Sequence, residues 1–430
     1  MHKKRKIVTT PFDRNRVPPR QNIFLLLLIW LVCLLNIRGA KLKIKKVGMK
    51  GLKPPFIVFV THLSFIDFYI TPLALFPYRA NYVSELETFE KYNEELFRRI
   101  GCLGTRKFIT DTALVKNIKK VIDRKDILVV YPEARYSNVG TNSKLEDSLG
   151  KLCKILNVPV VIINMRGNYL RSPIWNIKIR KEAKLDAVIT RIFTVEELEK
   201  ASYKEINKTI QDYMIYDEYK WQFDTKLKIT YKKRAEGIEL VLYKCPCCKA
   251  EFKMETKNAN IFCGNCKTEW KMTEYGKLEL VNKTEAYACV ETDFSHIPDW
   301  YEWERSEVIK EIEAGKYYLN IEVRIESLPN AVNFIDLGNG NLVHDEKGFT
   351  LTFVDFDDSK RKSLFFGAGA ASSIHTEYNY RKKGQCITLS TLNNTYFIYP
   401  HADGFNVTKI QFAVEYLFQQ SRNRVKSVLK

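Results

Sequence analysis

The chain has 430 residues and a formal net charge of +19, because 69 Lys and Arg residues outnumber 50 Asp and Glu residues. That length allows two or three domains, and an aromatic content of 13% excludes a disordered chain. Positive charge of this size favours an anionic partner: nucleic acid, an acidic membrane surface or a phosphorylated substrate. Ten cysteines that include two C-x-x-C pairs indicate metal binding in a reducing compartment, not a disulfide framework.

The first predicted element is an apolar helix between two basic flanks. Residues 23–35 are all apolar, and residues 1–20 and 38–53 each carry seven Lys or Arg. Such a helix is about 20 Å long, short of the roughly 30 Å hydrocarbon core of a bilayer. We expect residues 1–50 to form a basic N-terminus with a helix embedded in one leaflet, on the cytoplasmic face. A single short transmembrane helix and a buried globular helix are the alternatives.

The next stretch combines a buried strand with a histidine and an aspartate. Residues 56–60 are a continuous apolar run, typical of a strand covered on both faces of a parallel sheet. His62 follows the strand, and Asp67 follows His62 by five residues. The two side chains can meet only if His62 precedes a helix and Asp67 lies in its first turn, with Ser64 as the N-cap. A carboxylate on one imidazole nitrogen leaves the other free to take a proton from a hydroxyl. A capping box with a structural histidine is the alternative.

Two further strands are predicted downstream, with helices between them. Residues 127–131 form an apolar strand that ends in Pro132-Glu133-Ala134-Arg135, and residues 158–163 form a third buried strand. Residues 101–111 form a loop that contains Gly104 and the adjacent cations Arg106 and Lys107. The β-α-β alternation predicts an α/β domain with a mostly parallel sheet and flanking helices over residues 51–230.

Taken together, four blocks resemble the glycerophospholipid acyltransferase family, of the 1-acylglycerol-3-phosphate O-acyltransferase type. His62-Leu-Ser-Phe-Ile-Asp67 matches the family's H-x4-D block, and residues 101–111 stand at its glycine/arginine block. Residues 131–137, Tyr-Pro-Glu-Ala-Arg-Tyr-Ser, stand where the family has F-P-E-G-T-R-S, and residues 158–163 resemble its proline-containing strand. The resemblance covers roughly residues 20–200. It departs from the family at Ala134, which replaces a glycine, at Arg135, which is one position early, and in the missing I-D-R of the second block.

The resemblance implies an activity and a site. A fatty acyl group would pass from an acyl thioester, acyl-CoA or acyl carrier protein, to the hydroxyl of a lysophospholipid, most often 1-acylglycerol-3-phosphate, giving phosphatidic acid. His62 would be the general base, and Asp67 would stabilise its imidazolium. The expected acceptor-binding residues are Gly104, Arg106, Lys107, Pro132, Glu133 and Arg135. The positive charges of Arg106, Lys107 and Arg135 suit a phosphate. The carboxylate of Glu133 suits a glycerol hydroxyl, or an ion pair with Arg135.

A zinc ribbon is predicted over residues 238–282. Cys245 and Cys248 are separated from Cys263 and Cys266 by fourteen residues, the spacing of a structural zinc site with four thiolates. Cys247 lies inside the first pair and is an alternative ligand.

A β-rich domain is predicted over residues 295–430. It begins with a charged helix, continues in short strands and ends in a helix, an outline that resembles a pleckstrin-homology-like domain, although other β-sandwiches fit as well. Gly338-Asn-Gly340 is expected to be a turn. His296, His344, His375 and His401 share no motif, and we expect structural or surface roles for them.

Two other functional classes compete with the enzyme. A membrane-tethered binding or scaffold protein on a degenerate acyltransferase fold would explain the altered third block, although His62 and Asp67 are intact. A nucleic-acid-binding ribbon protein would explain the charge, but the ribbon is not especially basic and residues 23–35 suit a membrane better.

Overall fold

The structure, a computed structural model, describes residues 8–282, 294–355, 359–401 and 405–428. Residues 1–7 of the predicted basic N-terminus lie outside the described residues, as does one of the ten cysteines, Cys289. Three β-sheets follow one another along the described chain.

The first sheet has seven strands and carries the His62 stretch. Its strands are β1 (Lys43–Val47), β2 (Ile57–Val60), β3 (Ala80–Glu85), β4 (Cys102–Thr105), β5 (Ile127–Val130), β6 (Val160–Arg166) and β7 (Asp186–Phe193). They lie in the order β1-β7-β6-β2-β5-β3-β4, and each neighbouring pair is parallel except β6 with β7. The predicted α/β class is therefore confirmed, with a mixed, largely parallel sheet.

Helices cover both faces of this sheet. They are α1 (Ile23–Asn36), α2 (Asp67–Ala74), α3 (Leu86–Tyr92), α4 (Glu94–Arg99), α5 (Thr112–Asp123), α6 (Leu149–Leu156), α7 (Asn168–Arg171), α8 (Val195–Lys200), α9 (Tyr203–Tyr213) and α10 (Glu218–Asp224). Val58 and Val60 of β2 belong to the core that includes α2, whereas Ile57 and Phe59 belong to the core that includes α5 and α6. Burial on both sides explains why this strand is apolar throughout.

Helix α1 has the predicted position and leaves most of its apolar surface exposed. Leu26 and Cys33 are buried, and the indole N–H of Trp30 donates to the Pro72 carbonyl of α2 at 3.2 Å. Among the described residues, no helix has the length and apolar character needed to cross a membrane.

The second sheet is the small antiparallel sheet of the predicted ribbon. It consists of β8 (Met254–Lys257), β9 (Asn260–Cys263), β10 (Glu269–Met272) and β11 (Leu278–Asn282). The ribbon packs on helix α11 (Ile297–Glu313), where Trp270 and Trp300 lie with ring centroids 4.9 Å apart. The backbone N–H of Lys244 donates to buried Glu304 of the same helix at 2.7 Å, so the ribbon and α11 share one core.

The third sheet is antiparallel and has seven strands. These are β12 (Leu319–Ser327), β13 (Ile335–Asp345), β14 (Gly348–Val354), β15 (Arg361–Gly367), β16 (His375–Glu377), β17 (Cys386–Ser390) and β18 (Thr395–Pro400), in the order β15-β14-β13-β12-β18-β17-β16. Helix α12 (Val407–Val428) follows and contacts β16 and α11. The β-rich region with its closing helix is confirmed, and the pleckstrin-homology-like outline stays a prediction.

The prediction of a turn at Gly338-Asn-Gly340 is wrong. Both glycines lie inside β13, where Gly338 has a φ of +79° and faces Ile325 of β12, next to a register shift. A glycine that tolerates positive φ serves a β-bulge as readily as a turn. The strand therefore continues through the asparagine.

A basic strap, residues 8–22, ties the α/β domain of the first sheet (the first domain) to the β-rich domain of the third sheet (the third domain). Phe12 packs in a core shared by Phe89 of α3 and Phe397 of β18. The side chain of Asn330 donates to the carbonyls of Val8 and Thr10. The N-terminal segment thus forms part of the domain interface.

Candidate active site and metal centre

His62 and Asp67 meet as the spacing predicts. His62 follows β2, Asp67 is the first residue of α2, and the imidazole Nδ1 lies 3.1 Å from Asp67 Oδ2. The same oxygen accepts the backbone N–H groups of Leu63 and Ser64 at 2.7 and 3.1 Å. The other oxygen accepts the side-chain amide of Asn168 at 2.6 Å. Four donors therefore fix the carboxylate, and it in turn fixes the imidazole tautomer with the proton on Nδ1.

Ser64 is not the N-cap of α2. The cap position is Ile66, whose N–H donates to Ser64 Oγ at 3.3 Å, and Ser64 Oγ itself donates to the Asn168 carbonyl at 3.1 Å. Residues 64–66 form a turn ahead of the helix, so the serine holds Asn168, which in turn holds Asp67. Asn168 had no signal in the sequence, since it lies about a hundred residues away on α7.

The imidazole is buried among aromatic rings. Its centroid lies 4.5 Å from Tyr131 and Tyr136 and 5.6 Å from Phe68, and His62 is only 7% exposed. Burial lowers the pKa of His62 below 6.5, although the hydrogen bond to Asp67 acts in the opposite direction. The ring is therefore neutral at pH 7. Among the described residues Nε2 has no hydrogen-bond partner, which leaves it available as a proton acceptor.

Residues 131–137, the third block of the family resemblance, bind both the backbone N–H and the backbone carbonyl of His62. Glu133 accepts the N–H of His62 at 3.0 Å, and Ser137 donates its N–H to the His62 carbonyl at 3.0 Å. Glu133 also accepts the N–H of Ser143 at 2.7 Å and the hydroxyl of Tyr216 at 3.1 Å. Burial raises the pKa of Glu133 to about 7. Its two oxygens are occupied by protein donors, so it positions the base instead of meeting a glycerol hydroxyl.

Ala134, the first departure from the family pattern, lies in the turn at Pro132. The N–H of Ala134 closes the turn on the Tyr131 carbonyl at 3.1 Å, and Ala134 has a φ of +55°. This is the left-handed region that glycine adopts without strain. Alanine therefore occupies a position whose backbone suits the family's glycine.

Arg135 pairs with the C-terminal helix and not with Glu133. Its guanidinium donates to Glu415 of α12 at 2.9 Å, and Arg305 of α11 donates to the same carboxylate. Arg135 is buried, and the ion pair with Glu415 neutralises its charge at the contact between the first and third domains.

The side chain of Arg106 also forms its hydrogen bonds with the third domain. Its guanidinium donates to the carbonyls of Leu328, Pro329 and Asn393 at 2.8–3.2 Å and to Thr395 Oγ1 at 2.7 Å. Arg106 is buried, and burial lowers its pKa to about 10. This placement does not fit the predicted phosphate contact.

Gly104 is a close-packing position. A Cβ built on Gly104 would lie 2.5 Å from the ring of Phe12, which the strap places over β4. The absence of a side chain at Gly104 makes room for the strap. This packing explains the glycine, and contact with a substrate is not needed to explain it.

Lys107 stays near the base but has partners of its own. Its ammonium forms an ion pair with Glu85 at the end of β3 and lies 3.1 Å from Nδ1 of His375 on β16. His375 Nε2 in turn lies 3.1 Å from Glu377. His375 was expected to be structural or at the surface; the structure places it beside a predicted site residue, through a contact that spans 268 positions.

The four predicted zinc ligands converge. The sulfurs of Cys245, Cys248, Cys263 and Cys266 all lie within 4.8 Å of one another, and the pairs Cys245–Cys266 and Cys248–Cys263 are 3.7 Å apart. Tetrahedral zinc with Zn–S bonds of about 2.3 Å needs sulfurs about 3.8 Å apart. The set fits a structural zinc ion. The alternative ligand Cys247 lies outside it, and its sulfur accepts a hydrogen bond from Thr268.

Comparisons with known proteins give a weak structural likeness. No family model matches the chain, and no curated protein matches it. Five solved chains match, among them the crystal structure of the 1-acyl-sn-glycerophosphate (LPA) acyltransferase, PlsC, from Thermotoga maritima. That match has a TM-score of 0.37 and 16% sequence identity, and it covers 44% of this chain and 77% of that chain. A likeness of this size assigns neither family nor activity.

Proposed function

We propose that the protein is a membrane-associated acyltransferase that moves a fatty acyl group from an acyl thioester to the hydroxyl of a lysophospholipid. The observation that carries the proposal is the His62–Asp67 pair at the end of β2. A neutral imidazole whose Nδ1 is held by a carboxylate and whose Nε2 is free suits a general base. The family resemblance of the four blocks supplies the reaction class, with acyl-CoA or acyl carrier protein as the thioester donor.

The proposed chemistry needs no covalent enzyme intermediate, because a thioester is already activated. The acceptor oxygen attacks the thioester carbonyl carbon while Nε2 of His62 takes the hydroxyl proton. Asp67 stabilises the imidazolium through Nδ1–H. The tetrahedral intermediate expels the thiolate, which recovers the proton from Nε2 and leaves as the thiol. Acyl oxygen ester and free thiol are the products.

An exposed apolar surface next to the base supports a membrane location. It consists of side chains on α1 and the α2 region that are 44–78% exposed: Ile23, Phe24, Leu27, Leu28, Leu31, Leu34, Leu35, Phe65 and Phe76. The ring of Phe65 lies 5.6 Å from Phe68, which lies 5.6 Å from His62, so two ring contacts connect the surface to the base. Contiguous exposed apolar area of this kind marks protein or membrane contact.

Basic side chains border this apolar surface. Lys91 lies 5.9 Å from the centre of the Phe65 ring, and Lys46 donates to the Phe76 carbonyl. Cations around an apolar patch favour anionic lipid headgroups. We therefore propose a monotopic protein on the cytoplasmic leaflet, which keeps the base at headgroup depth.

A flotation experiment tests the membrane part. Wild-type protein is expected to float with vesicles that contain anionic phospholipid, and a Leu27→Gln/Leu28→Gln/Leu31→Gln variant is expected to stay in solution, because three large apolar side chains no longer enter the bilayer. Ile177→Gln/Phe365→Gln is the matched control, since both residues are exposed elsewhere. Equal flotation of all three proteins would place the contact elsewhere.

The reaction itself is tested by giving the purified full chain labelled acyl-CoA and a panel of lysophospholipids. A labelled two-chain lipid is the expected product. A membrane-tethered binding protein is the second candidate, favoured by one observation: each predicted phosphate-binding cation already has protein partners. That protein would bind lysolipid vesicles and form no labelled product.

The finer expectation of 1-acylglycerol-3-phosphate as acceptor depended on those three cations. Arg106 and Arg135 point into the domain interface, and Lys107 is paired with Glu85. We therefore propose a lysophospholipid hydroxyl as the acceptor and assign it no particular headgroup.

A further inference from the structure

An apolar cavity lies in the third domain where that domain meets the first. Residues of β14, β15 and β17 line it, although β15 and β17 stand near opposite ends of the strand order, so the sheet curls and brings them together. Helix α12 and residues 107–109 of the first domain line its other sides. The empty space is about 520 Å³, part of it open to solvent. This arrangement resembles the mouth of a β-barrel, a preferred place for ligand pockets.

The walls of the cavity suit a hydrocarbon chain. Large apolar side chains supply most of the surface, among them Phe349, Phe366, Leu389 and Leu417, and small residues such as Ala370 and Ala371 leave space between them. Among the described residues no Asp or Glu lines the cavity, and Lys107 is its only Lys or Arg. The other polar side chains are three hydroxyls and an imidazole. Such walls favour a chain of methylene groups, because burial removes those groups from water.

The cavity reaches the edge of the first sheet that carries the base. Lys107, which lines the cavity, forms an ion pair with Glu85 at the end of β3. Strands β3 and β2 both pair with β5, and His62 follows β2. Neighbouring strands lie about 4.8 Å apart, so the ends of β2 and β3 are roughly 10 Å apart. The cavity therefore adjoins the same edge of the sheet as the imidazole.

A second set of contacts connects the cavity with the base through α12. Ser373 lines the cavity and donates its hydroxyl to Glu415 at 2.6 Å, and the same carboxylate oxygen accepts from Arg135 at 2.9 Å. Tyr136 follows Arg135 in the chain, and its ring lies 4.5 Å from His62. An ion pair and an aromatic ring therefore link the wall of the cavity to the imidazole.

The position of the cavity distinguishes the two substrates of the proposed reaction. Phe68 contacts His62 on the side of the exposed apolar surface, from which a lipid acceptor would arrive. The cavity lies instead next to Tyr136 and the third domain. An acyl thioester is carried in water by its polar CoA or carrier-protein part, so its chain needs an apolar site outside the bilayer. The donor is therefore the substrate whose chain fits this cavity.

We infer that the cavity binds the acyl chain of the thioester donor, and that the third domain thereby supplies part of the active site. This inference rests on the proposed acyl transfer. It also gives a role to the contacts of Arg106 and Arg135 with the third domain, because the cavity must stay aligned with His62.

The chain length of the donor tests the inference. The purified full chain receives octanoyl-, lauroyl- or palmitoyl-CoA, each below its micelle concentration, with one lysophospholipid acceptor. Wild-type kcat/KM is expected to rise at least about tenfold from octanoyl- to palmitoyl-CoA, because the added methylenes leave water. Ala371→Phe fills part of the cavity and is expected to remove most of that rise, chiefly through the KM of palmitoyl-CoA. Ala314→Phe, the same change at the exposed end of α11, is the matched control and should keep the wild-type rise.

Two results would overturn the inference and leave acyl transfer intact. One is an unchanged palmitoyl-to-octanoyl ratio in folded Ala371→Phe. The other is a variant in which the preference among donors is unchanged while the preference among lysophospholipids of different chain length is altered, since the cavity would then hold the chain of the acceptor.

A binding measurement separates this inference from the proposed reaction. Octyl-CoA and hexadecyl-CoA thioethers have no acyl carbonyl and cannot be transferred. Calorimetry is expected to show that wild-type protein binds the hexadecyl thioether at least about tenfold more tightly than the octyl thioether, and that Ala371→Phe loses this difference. Equal affinity of wild-type protein for the two thioethers would overturn the inference, whether or not a variant folds. Absence of any acyl transfer, together with the expected affinities, would instead overturn the proposed function alone.

Discussion

Replacing Arg106 by alanine is expected to loosen the contact between the first and third domains. Arg106 is 5% exposed, and its guanidinium donates to four acceptors, all of them in the third domain. Hydrogen bonds from a charged donor contribute about 1.5–3 kcal/mol each, so four represent about 6–12 kcal/mol. Burial of the charge, which lowers the pKa of Arg106 from 12.5 to about 10, offsets part of this stabilisation. The net loss is expected to be at least about 3 kcal/mol.

Urea unfolding of the full chain, followed by tryptophan fluorescence, measures this loss as a change in the free energy of unfolding. Arg99→Ala is the matched control, because that side chain is 63% exposed and, among the described residues, forms an ion pair with Glu95 alone, a contact worth about 1 kcal/mol or less. If Arg106→Ala and Arg99→Ala unfold alike while Arg106→Ala raises the KM of the acceptor, Arg106 is a substrate ligand and the interface role is refuted.

Two further predictions concern the metal and acid stability. Metal analysis of the purified chain should find about one zinc, which Cys245→Ser should release and Cys247→Ser should retain. For His344, burial lowers the pKa from 6.5 to about 3, so the unfolded chain binds a proton that the folded chain does not as the pH falls below 6.5. His344→Gln should therefore lose about 3 kcal/mol less stability than wild-type protein between pH 7 and pH 4, measured by urea unfolding at both.

For each of these two predictions, one experimental result would contradict it. A folded, metal-free chain would contradict the ribbon as a zinc site. Equal acid sensitivity of wild-type protein and His344→Gln would contradict a buried, neutral imidazole beside the Tyr317 hydroxyl, which lies 2.8 Å from His344 Nδ1.

Local spacing was enough to predict the parts of the molecule that depend on neighbours in sequence. The strand before His62, the position of Asp67 at the start of α2, and the convergence of the four ribbon cysteines all follow from short-range patterns. The apolar helix α1 and the closing helix α12 follow from periodicity and length in the same way.

The partners of the predicted phosphate-binding cations could not be predicted, because they lie on another domain. Arg106 contacts residues 222 to 289 positions away, and Arg135 contacts Glu415, 280 positions away. A basic residue in a loop has the same local sequence whether it faces substrate or a carbonyl. Asn168 and His375 were missed for the same reason, since each reaches the site only through the fold.

The proposed acyl transfer depends most directly on His62 as the general base. His62→Ala should reduce kcat/KM for acyl transfer by about 10²–10⁴-fold while the urea midpoint and zinc content stay close to those of wild-type protein. Asp67→Asn should reduce it less, and His401→Ala, a change at an exposed histidine, should leave it unchanged. Full transfer activity in a folded His62→Ala variant would contradict the mechanism.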